Sequence, residues 1–185
     1  MTQPTLAAIP VLQTERLTLR GPAAQDHDLL SAFYGSERSH FVGGPLDREK
    51  TWRQLATEIG HWTLRGYGRW MADLTETGET VGMVGLWNPD GWPEAEIGWD
   101  LMNGHEGRGY ATEAALAARA FAYDVLGWTT AISLVAPENH GSARVAERLG
   151  AQRDGAFQHA RFGPLHVYRH PGPEALTDGG PEAYA

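Results

Sequence analysis

Apolar and polar residues alternate with period two over Thr14–Arg20. Leu17 and Leu19 share one face and Thr18 and Arg20 the other, which predicts a strand ended by Gly21-Pro22. Asp26 is a candidate cap for a helix carrying Leu29, Leu30, Phe33 and Tyr34. Gly35 to Pro45 reads as a loop that holds Ser39, His40, Phe41 and Val42. A second helix is predicted from about Asp47 to Arg65, with Trp52, Leu55, Ile59 and Trp62 at helical spacing on one face. Strands follow over Arg69–Leu74 and Glu79–Trp87, joined at a Thr77-Gly78 turn. A loop dense in turn residues, Asn88–Pro93, leads to a central strand over Glu94–Asn103. A helix from about Gly109 to Leu126, closed by Gly127, shows a narrow face of Ala114, Ala118, Phe121 and Val125. Then come a strand over Thr129–Val135, a helix over Asn139–Leu149 closed by Gly150, and two strands within Gln152–Arg169 around Phe162-Gly163-Pro164. The order β-α-α-β-β-β-α-β-α-β-β implies an α/β (α+β) fold, a mixed sheet with helices on both faces. Residues 1–12, with Pro4 and Pro10, read as an arm. Residues 1–170 then form one domain, and 171–185, rich in Pro, Gly and acidic residues, a loose tail.

At 185 residues the chain is long enough for one sizeable core, and 42% hydrophobic with 21% charged residues is an ordinary globular composition. The net charge of -8 argues against a general nucleic-acid binder, which needs a basic face. It is compatible with a cationic partner such as an amine, although a solubility charge is the better explanation of it. Without cysteine there is no disulfide, thiolate nucleophile or zinc-thiolate site. No apolar run approaches the length of a membrane span, and the first residues lack the basic and apolar regions of a secretory signal, so a cytoplasmic protein with no membrane partner is expected. The eight histidines show neither His-x-His nor His-Glu-x-x-His spacing, so no metal site is expected.

The candidate chemistry begins at Glu96–Thr112, a strand running into a glycine-rich loop and then into a helix. Gly104, Gly107 and Gly109 permit tight turns and close approach of a ligand to the backbone. The unpaired amides and dipole of the helix start suit an anion such as phosphate. The loop has no P-loop lysine, and its order Gly104-x-x-Gly107-x-Gly109 reverses the dinucleotide fingerprint.

Glu106-Gly107-Arg108-Gly109-Tyr110-Ala111-Thr112-Glu113-Ala114 resembles the acyl-CoA pyrophosphate loop of the GNAT N-acetyltransferase superfamily, Gln/Arg-x-x-Gly-x-Gly/Ala. Gly109 and Ala111 match it, and Glu106 stands where Gln or Arg is usual. The opening strand Thr14-Glu15-Arg16-Leu17-Thr18-Leu19-Arg20 resembles that of the RimJ/RimL-type branch, and the likeness extends over roughly 14–169. It implies the GNAT fold, a twisted, mixed and mostly antiparallel sheet of about six to seven strands with helices on both faces. It also implies transfer of acetyl from acetyl-CoA to a primary amine, on a small molecule or a protein N-terminus. A transferase using a longer acyl-CoA and a non-catalytic acyl-CoA sensor remain alternatives. Homodimerisation is common in the family.

By the same resemblance the pantetheine arm pairs with the backbone of Trp99, Asp100 and Leu101. The pyrophosphate lies on the amides of Gly107, Arg108, Gly109, Tyr110, Ala111 and Thr112, with Arg108 either contacting it or solvated. Pro137 to Ala151 is similar to the family's Asn-x-x-Ser/Ala … Leu-Gly-Phe helix. It makes Asn139 the pantetheine-bonding residue, although asparagine is equally a good helix cap. The tyrosine that donates a proton to the departing thiolate in many members is replaced by Ala146. Ser142 stands where a serine serves in RimL-type enzymes, as a hydrogen-bond donor to sulfur or simply as a first-turn residue. A glutamate base found in one branch is replaced by Leu134. Glu96, which alternation places on one face with Gly98 and Asp100, is the remaining candidate base, with Glu94 weaker. A solvated strand-edge carboxylate is the other reading of Glu96. Trp87, Trp92, Trp99, Phe41 and Val42 are candidates to line an acceptor pocket.

Overall fold

The computed structural model describes residues 8–177. Its strands are β1 (Leu12–Gln13), β2 (Leu17–Arg20), β3 (Arg69–Leu74), β4 (Thr80–Trp87), β5 (Glu96–Leu101), β6 (Ile132–Val135), β7 (Gln152–His159) and β8 (Gly163–Arg169). Its α-helices are α1 (His27–Tyr34), α2 (Arg48–Arg65), α3 (Tyr110–Asp124), α4 (His140–Arg148) and α5 (Pro173–Thr177). The strands form one sheet in the order β1-β2-β3-β4-β5-β6-β8-β7. Every pairing is antiparallel except β5 with β6.

The sheet has eight strands rather than the expected six to seven. The addition is β1, a two-residue strand at the end of the expected arm, too short to show a period. The loop before α2 also holds a 3-10 turn, Glu37–Val42. Residue 171 onward was expected to be loose. Its described part instead carries α5, and Leu176 packs against the main core; 178–185 lie outside the described residues.

Alternation sorts the sheet's two faces. Leu17, Leu19, Trp70, Ala72, Val84, Leu86 and Ile97 pack with Ala114, Ala115, Ala118 and Ala122 of α3. Small alanines bring that helix close to the strands. Met71 and Met83 face the other way, against Leu30, Phe33 and Tyr34 of α1 and Leu55 of α2. Burying each such side chain contributes roughly 1.5–3 kcal/mol. On α2 the buried face is rotated from expectation: Thr51, Leu55, Glu58 and Trp62 turn inward, while Trp52 is 59% exposed. On α3 the expected Ala114 and Ala118 are buried and Phe121 packs on the core; the stripe also takes in Ala111, Ala115 and Ala122, and Val125 is 66% exposed. Periodicity located both helices, but polar Glu58 took a core position because a buried arginine pairs with it.

The parallel pair positions the site. β5 and β6 are in register only at Glu96 and Ile132. Beyond this point two side chains replace the ladder. Ser133 Oγ donates to Ile97 O at 2.6 Å, and Leu134 N–H donates to Glu96 Oε1 at 2.9 Å. The strands then part.

Candidate active site

Ala95 O and Ile97 O both point toward β6, whereas Met102 N–H bonds Val81 of the strand preceding it in the sheet. By period two, the backbone groups of Trp99 and Leu101 face the gap. Those of Asp100 face β4, where a Cβ on Gly82 would lie 2.6 Å from Asp100 O. The expected backbone pairing therefore has a free edge at Trp99 and at the N–H of Leu101, whose carbonyl is taken by Arg38. At Asp100 it is corrected: that backbone is committed to β4, and its side chain is buried on the face shared with Glu96.

Gly109, at φ 84°, is the residue before α3, with no side-chain cap. Glu113 N–H is the first to reach back, to Gly109 O at 3.0 Å, which leaves the amides of Tyr110, Ala111 and Thr112 without a helical acceptor. Arg16, from β2's leading edge, was missed by motif reading. Its Nη1 donates to Arg108 O at 2.9 Å, its Nε donates to Glu113 Oε2 at 2.6 Å, and its guanidinium lies 4.8 Å from the Tyr110 ring centre. Burial works against the Glu113 charge, but donors from Thr14 and Arg16 outweigh it and hold that carboxyl below its ordinary value. The Arg108 side chain is exposed and its carbonyl serves the loop.

Glu106, the residue that departs from the family pattern, forms an ion pair with Arg38 from the 3-10 turn. Glu106 Oε2 also accepts from Gly104 N–H at 3.0 Å, and Arg38 Nη2 donates to Leu101 O at 3.1 Å. The negative charge beside the loop is thus matched by a cation that no local motif announces.

Three adjoining hollows make one trough. A groove beside α3 includes Arg16, Gly107, Gly109, Thr112 and Arg148. It shares Gly107 and Arg148 with a cavity of about 480 Å³ that runs along Leu101 and Ala111. That cavity shares Phe41, Val42, Trp99, Asp100, Asn139 and Ser142 with a further cavity of about 380 Å³, which contains Glu96.

The shared residues mark the junction of the two cavities. Asn139 Oδ1 accepts from Ser142 N–H at 3.1 Å, so Asn139 caps α4 and lines the junction at once. Trp99 Nε1–H donates to Ser142 Oγ at 3.2 Å. With one lone pair so occupied, the Ser142 hydroxyl proton is left to point elsewhere. Ala146, where many relatives carry tyrosine, is fully buried in a small cluster with Val135, Ala151 and Tyr168.

Glu96 is buried rather than solvated. Its Oε2 accepts from Trp92 Nε1–H at 2.5 Å and its Oε1 from Leu134 N–H at 2.9 Å. Burial pushes its carboxyl up to about 7 despite those two donors. Glu94 is excluded from this role by position: it pairs with Arg169 at 2.8 Å outside the cavity, and that arginine holds it below the usual carboxylate range.

Below the cavity lies a buried ionic group that sequence reading did not find. Arg69 Nη1 donates to Asp100 Oδ2 at 2.8 Å, Arg69 Nε donates to Glu58 Oε2 at 3.1 Å, and Gln54 Nε2 donates to Glu58 Oε1 at 2.7 Å. Burial works against the Arg69 charge, but Glu58 and Asp100 outweigh it and hold Arg69 well above its ordinary value. Burial raises Asp100, and Arg69 pulls it back. Trp87 lies against Arg69 and stacks at 4.6 Å on His61. His61 Nε2 accepts from Asn88 N–H, so its Nδ1–H donates to Tyr67 O. Among the described residues no group of three or more His, Cys, Asp or Glu could hold a metal ion, and no helix is long and apolar enough to cross a membrane.

An acetyltransferase (GNAT) domain model matches residues 16–152. Of known proteins, an uncharacterized N-acetyltransferase of Bacillus licheniformis, p20, is 30% identical over 151 residues, covering 80% of this chain and 85% of its own. The crystal structure of the acetyltransferase from Agrobacterium tumefaciens str. C58 is 43% identical with a TM-score of 0.82, over 92% of this chain and 99% of that one. RimL, a ribosomal L7/L12 alpha-N-protein acetyltransferase, superimposes with a TM-score of 0.71 at 14% identity, over 92% of this chain and 98% of that one, which is a likeness of fold alone. The chain belongs to the GNAT acetyltransferase family.

Proposed function

We propose that this chain moves an acetyl group from acetyl-CoA to a primary amine, directly, with both substrates bound. The observation that carries the reading is the continuous trough. It runs from the open start of α3, past the β5 edge at Trp99 and the Leu101 N–H, to a buried carboxylate in the adjoining cavity. The amides of 110–112 suit the pyrophosphate, with Arg16 and Arg148 adding positive charge nearby. The β5 edge suits an amide-containing arm that bonds like a strand.

Each side chain then has one task. Glu96, poised near neutrality and aligned by Trp92 and Leu134, takes the proton that an ammonium must lose before it can attack. The unpaired β5 amides are donors for the oxyanion. Ser142, held by Trp99, turns its hydroxyl proton toward the departing sulfur. The serine and the Thr14–Arg20 strand favour the RimJ/RimL-type branch within the family.

Calorimetry with acetyl-CoA, paired with thiol release in the presence of amines, tests the reading. Wild type is expected to bind and, with a suitable amine, to turn over. Gly109→Trp is expected to lose binding, because φ 84° resists a side chain and the ring fills the loop. Binding unchanged in that variant would remove the cofactor from this loop. Binding without thiol release from any amine would make the chain an acyl-CoA sensor.

A further inference from the structure

The cavity around Glu96 is bridged on its outer side by two segments far apart in sequence. Arg161 Nη2, at the tip of the β7–β8 hairpin, donates to Gly43 O, in the loop before α2, at 2.9 Å. A Cβ on Gly43, which sits at φ 92°, would lie 2.9 Å from Arg161 Nη2 and 3.1 Å from the Phe162 ring, so the two segments meet tightly. The tip is shaped by His159, whose Nδ1 accepts from the N–H groups of Arg161 at 3.0 Å and Phe162 at 3.2 Å. The His159 ring lies 4.8 Å from Phe162 and 5.0 Å from Trp92. Trp92 in turn donates to Glu96. The bridge and the candidate base are therefore tied together through one aromatic cluster.

The lining is ring-rich: Tyr34, Phe41, Trp87, Trp92, Trp99 and Phe162. Its charges cancel, with carboxylates at Glu96 and Asp100 and guanidiniums at Arg69 and Arg161. Asp100 is already spent on Arg69, so Glu96 is the lining carboxylate left for a cation. The acidity of the whole chain, net -8, is thus not concentrated in this cavity. A polyamine or an aminoglycoside would bring several ammonium groups to a place with one carboxylate to meet them. A protein N-terminus would bring a chain behind it, and the Arg161–Gly43 bridge occupies the way out. A volume of about 380 Å³ is at the small end for ligand cavities. Aromatic faces hold both apolar bodies and a single cation.

We propose, resting on the acetyltransferase reading above, that the acceptor is a small primary monoamine with an apolar body of about aromatic size, its nitrogen at Glu96 and its body among the rings. The bridge between Arg161 and Gly43 sets this specificity.

The test uses the full chain, saturating acetyl-CoA and thiol release. The acceptors are 2-phenylethylamine, tryptamine, spermidine, kanamycin and a short peptide with a free N-terminus. The expected kcat/KM for the two arylalkylamines is roughly 100-fold above the other three. In Arg161→Ala/Phe162→Ala, which opens the bridge, KM for 2-phenylethylamine is expected to rise about tenfold with kcat changed less than about twofold. Spermidine, kanamycin or the peptide equalling the arylalkylamines would overturn the proposal and leave acetyl transfer standing, as would an unchanged KM in the double variant. Tight acetyl-CoA binding without thiol release in the presence of any of the amines would overturn both the acceptor class and the transferase reading. Loss of acetyl-CoA binding in the wild type would strike the underlying reading instead.

Discussion

Replacing Glu96 by glutamine separates its chemistry from its cost. Burial moves the carboxyl from 4.5 to about 7. At about 1.4 kcal/mol for each pH unit, that gap is worth roughly 3 kcal/mol. The folded state holds the proton more tightly than the unfolded chain. The contribution is therefore fully present below 4.5 and is lost as pH rises through 7. Above neutrality the folded protein carries a buried charge held by two donors, with the nearby Arg69 charge offset by Asp100. Glutamine keeps the shape but turns an NH₂ toward either Trp92 Nε1–H or Leu134 N–H, a mismatch costing about 1–3 kcal/mol at every pH. The informative quantity is thus the stability of Glu96→Gln minus that of wild type, followed by urea unfolding from about pH 5 to about pH 8. It is expected to climb by roughly 2–3 kcal/mol in favour of the variant across that range. In kinetics, the variant is expected to lose about 100- to 10,000-fold in kcat/KM. It also loses the rising limb centred near 7, while the limb from the acceptor amine at higher pH stays. A flat stability difference, or a limb near neutrality that survives in the variant, would refute the assignment.

Other perturbations have smaller or more local effects. Arg38→Ala strands Glu106 beside the loop and is expected to weaken acetyl-CoA binding about tenfold by calorimetry; adding Glu106→Gln in that background is expected to restore most of it. Ser142→Ala is expected to lower kcat about three- to tenfold, the worth of one hydrogen bond, while acetyl-CoA affinity hardly moves. Arg69→Leu leaves Glu58 and Asp100 buried without their shared cation and is expected to cost about 3–5 kcal/mol in urea unfolding.

Much of the fold was legible because its signals are local. Leu17 and Leu19 alternate with polar neighbours, Thr77-Gly78 marks a hairpin, and Gly127 and Gly150 end helices. The glycine loop was legible for the same reason, since Gly104, Gly107 and Gly109 all take positive φ. The inward face of α2 was misplaced by about one residue because its largest apolar side chain, Trp52, was taken as buried, and on α3 the face was right at Ala114 and Ala118 but ran one turn too far, to Val125. Ala115 and Ala122 pack because they are small, and Glu58 is buried because Arg69 is there to meet it. Sequence alternation gave Glu96, Gly98 and Asp100 a common face, but not their different fates. Asp100 has Arg69, whereas Glu96 has Trp92 and Leu134 N–H. Contacts such as Arg38 with Glu106, or Arg161 with Gly43, join residues that no period relates. They arise only once the sheet has brought the segment between α1 and α2 over β5 and the β7–β8 tip.

The claim on which the rest depends is that acetyl-CoA lies on α3's first turn and along the free edge of β5. Amide chemical shifts of isotopically labelled protein, followed as acetyl-CoA is added, test it most directly. The expected result is large, saturable shifts at Trp99, Leu101, Tyr110, Ala111 and Thr112, and at the Trp99 indole N–H that holds Ser142, with the exposed first turn of α2 unmoved. Shifts confined to other surfaces, or no saturable shifts at these residues, would contradict it.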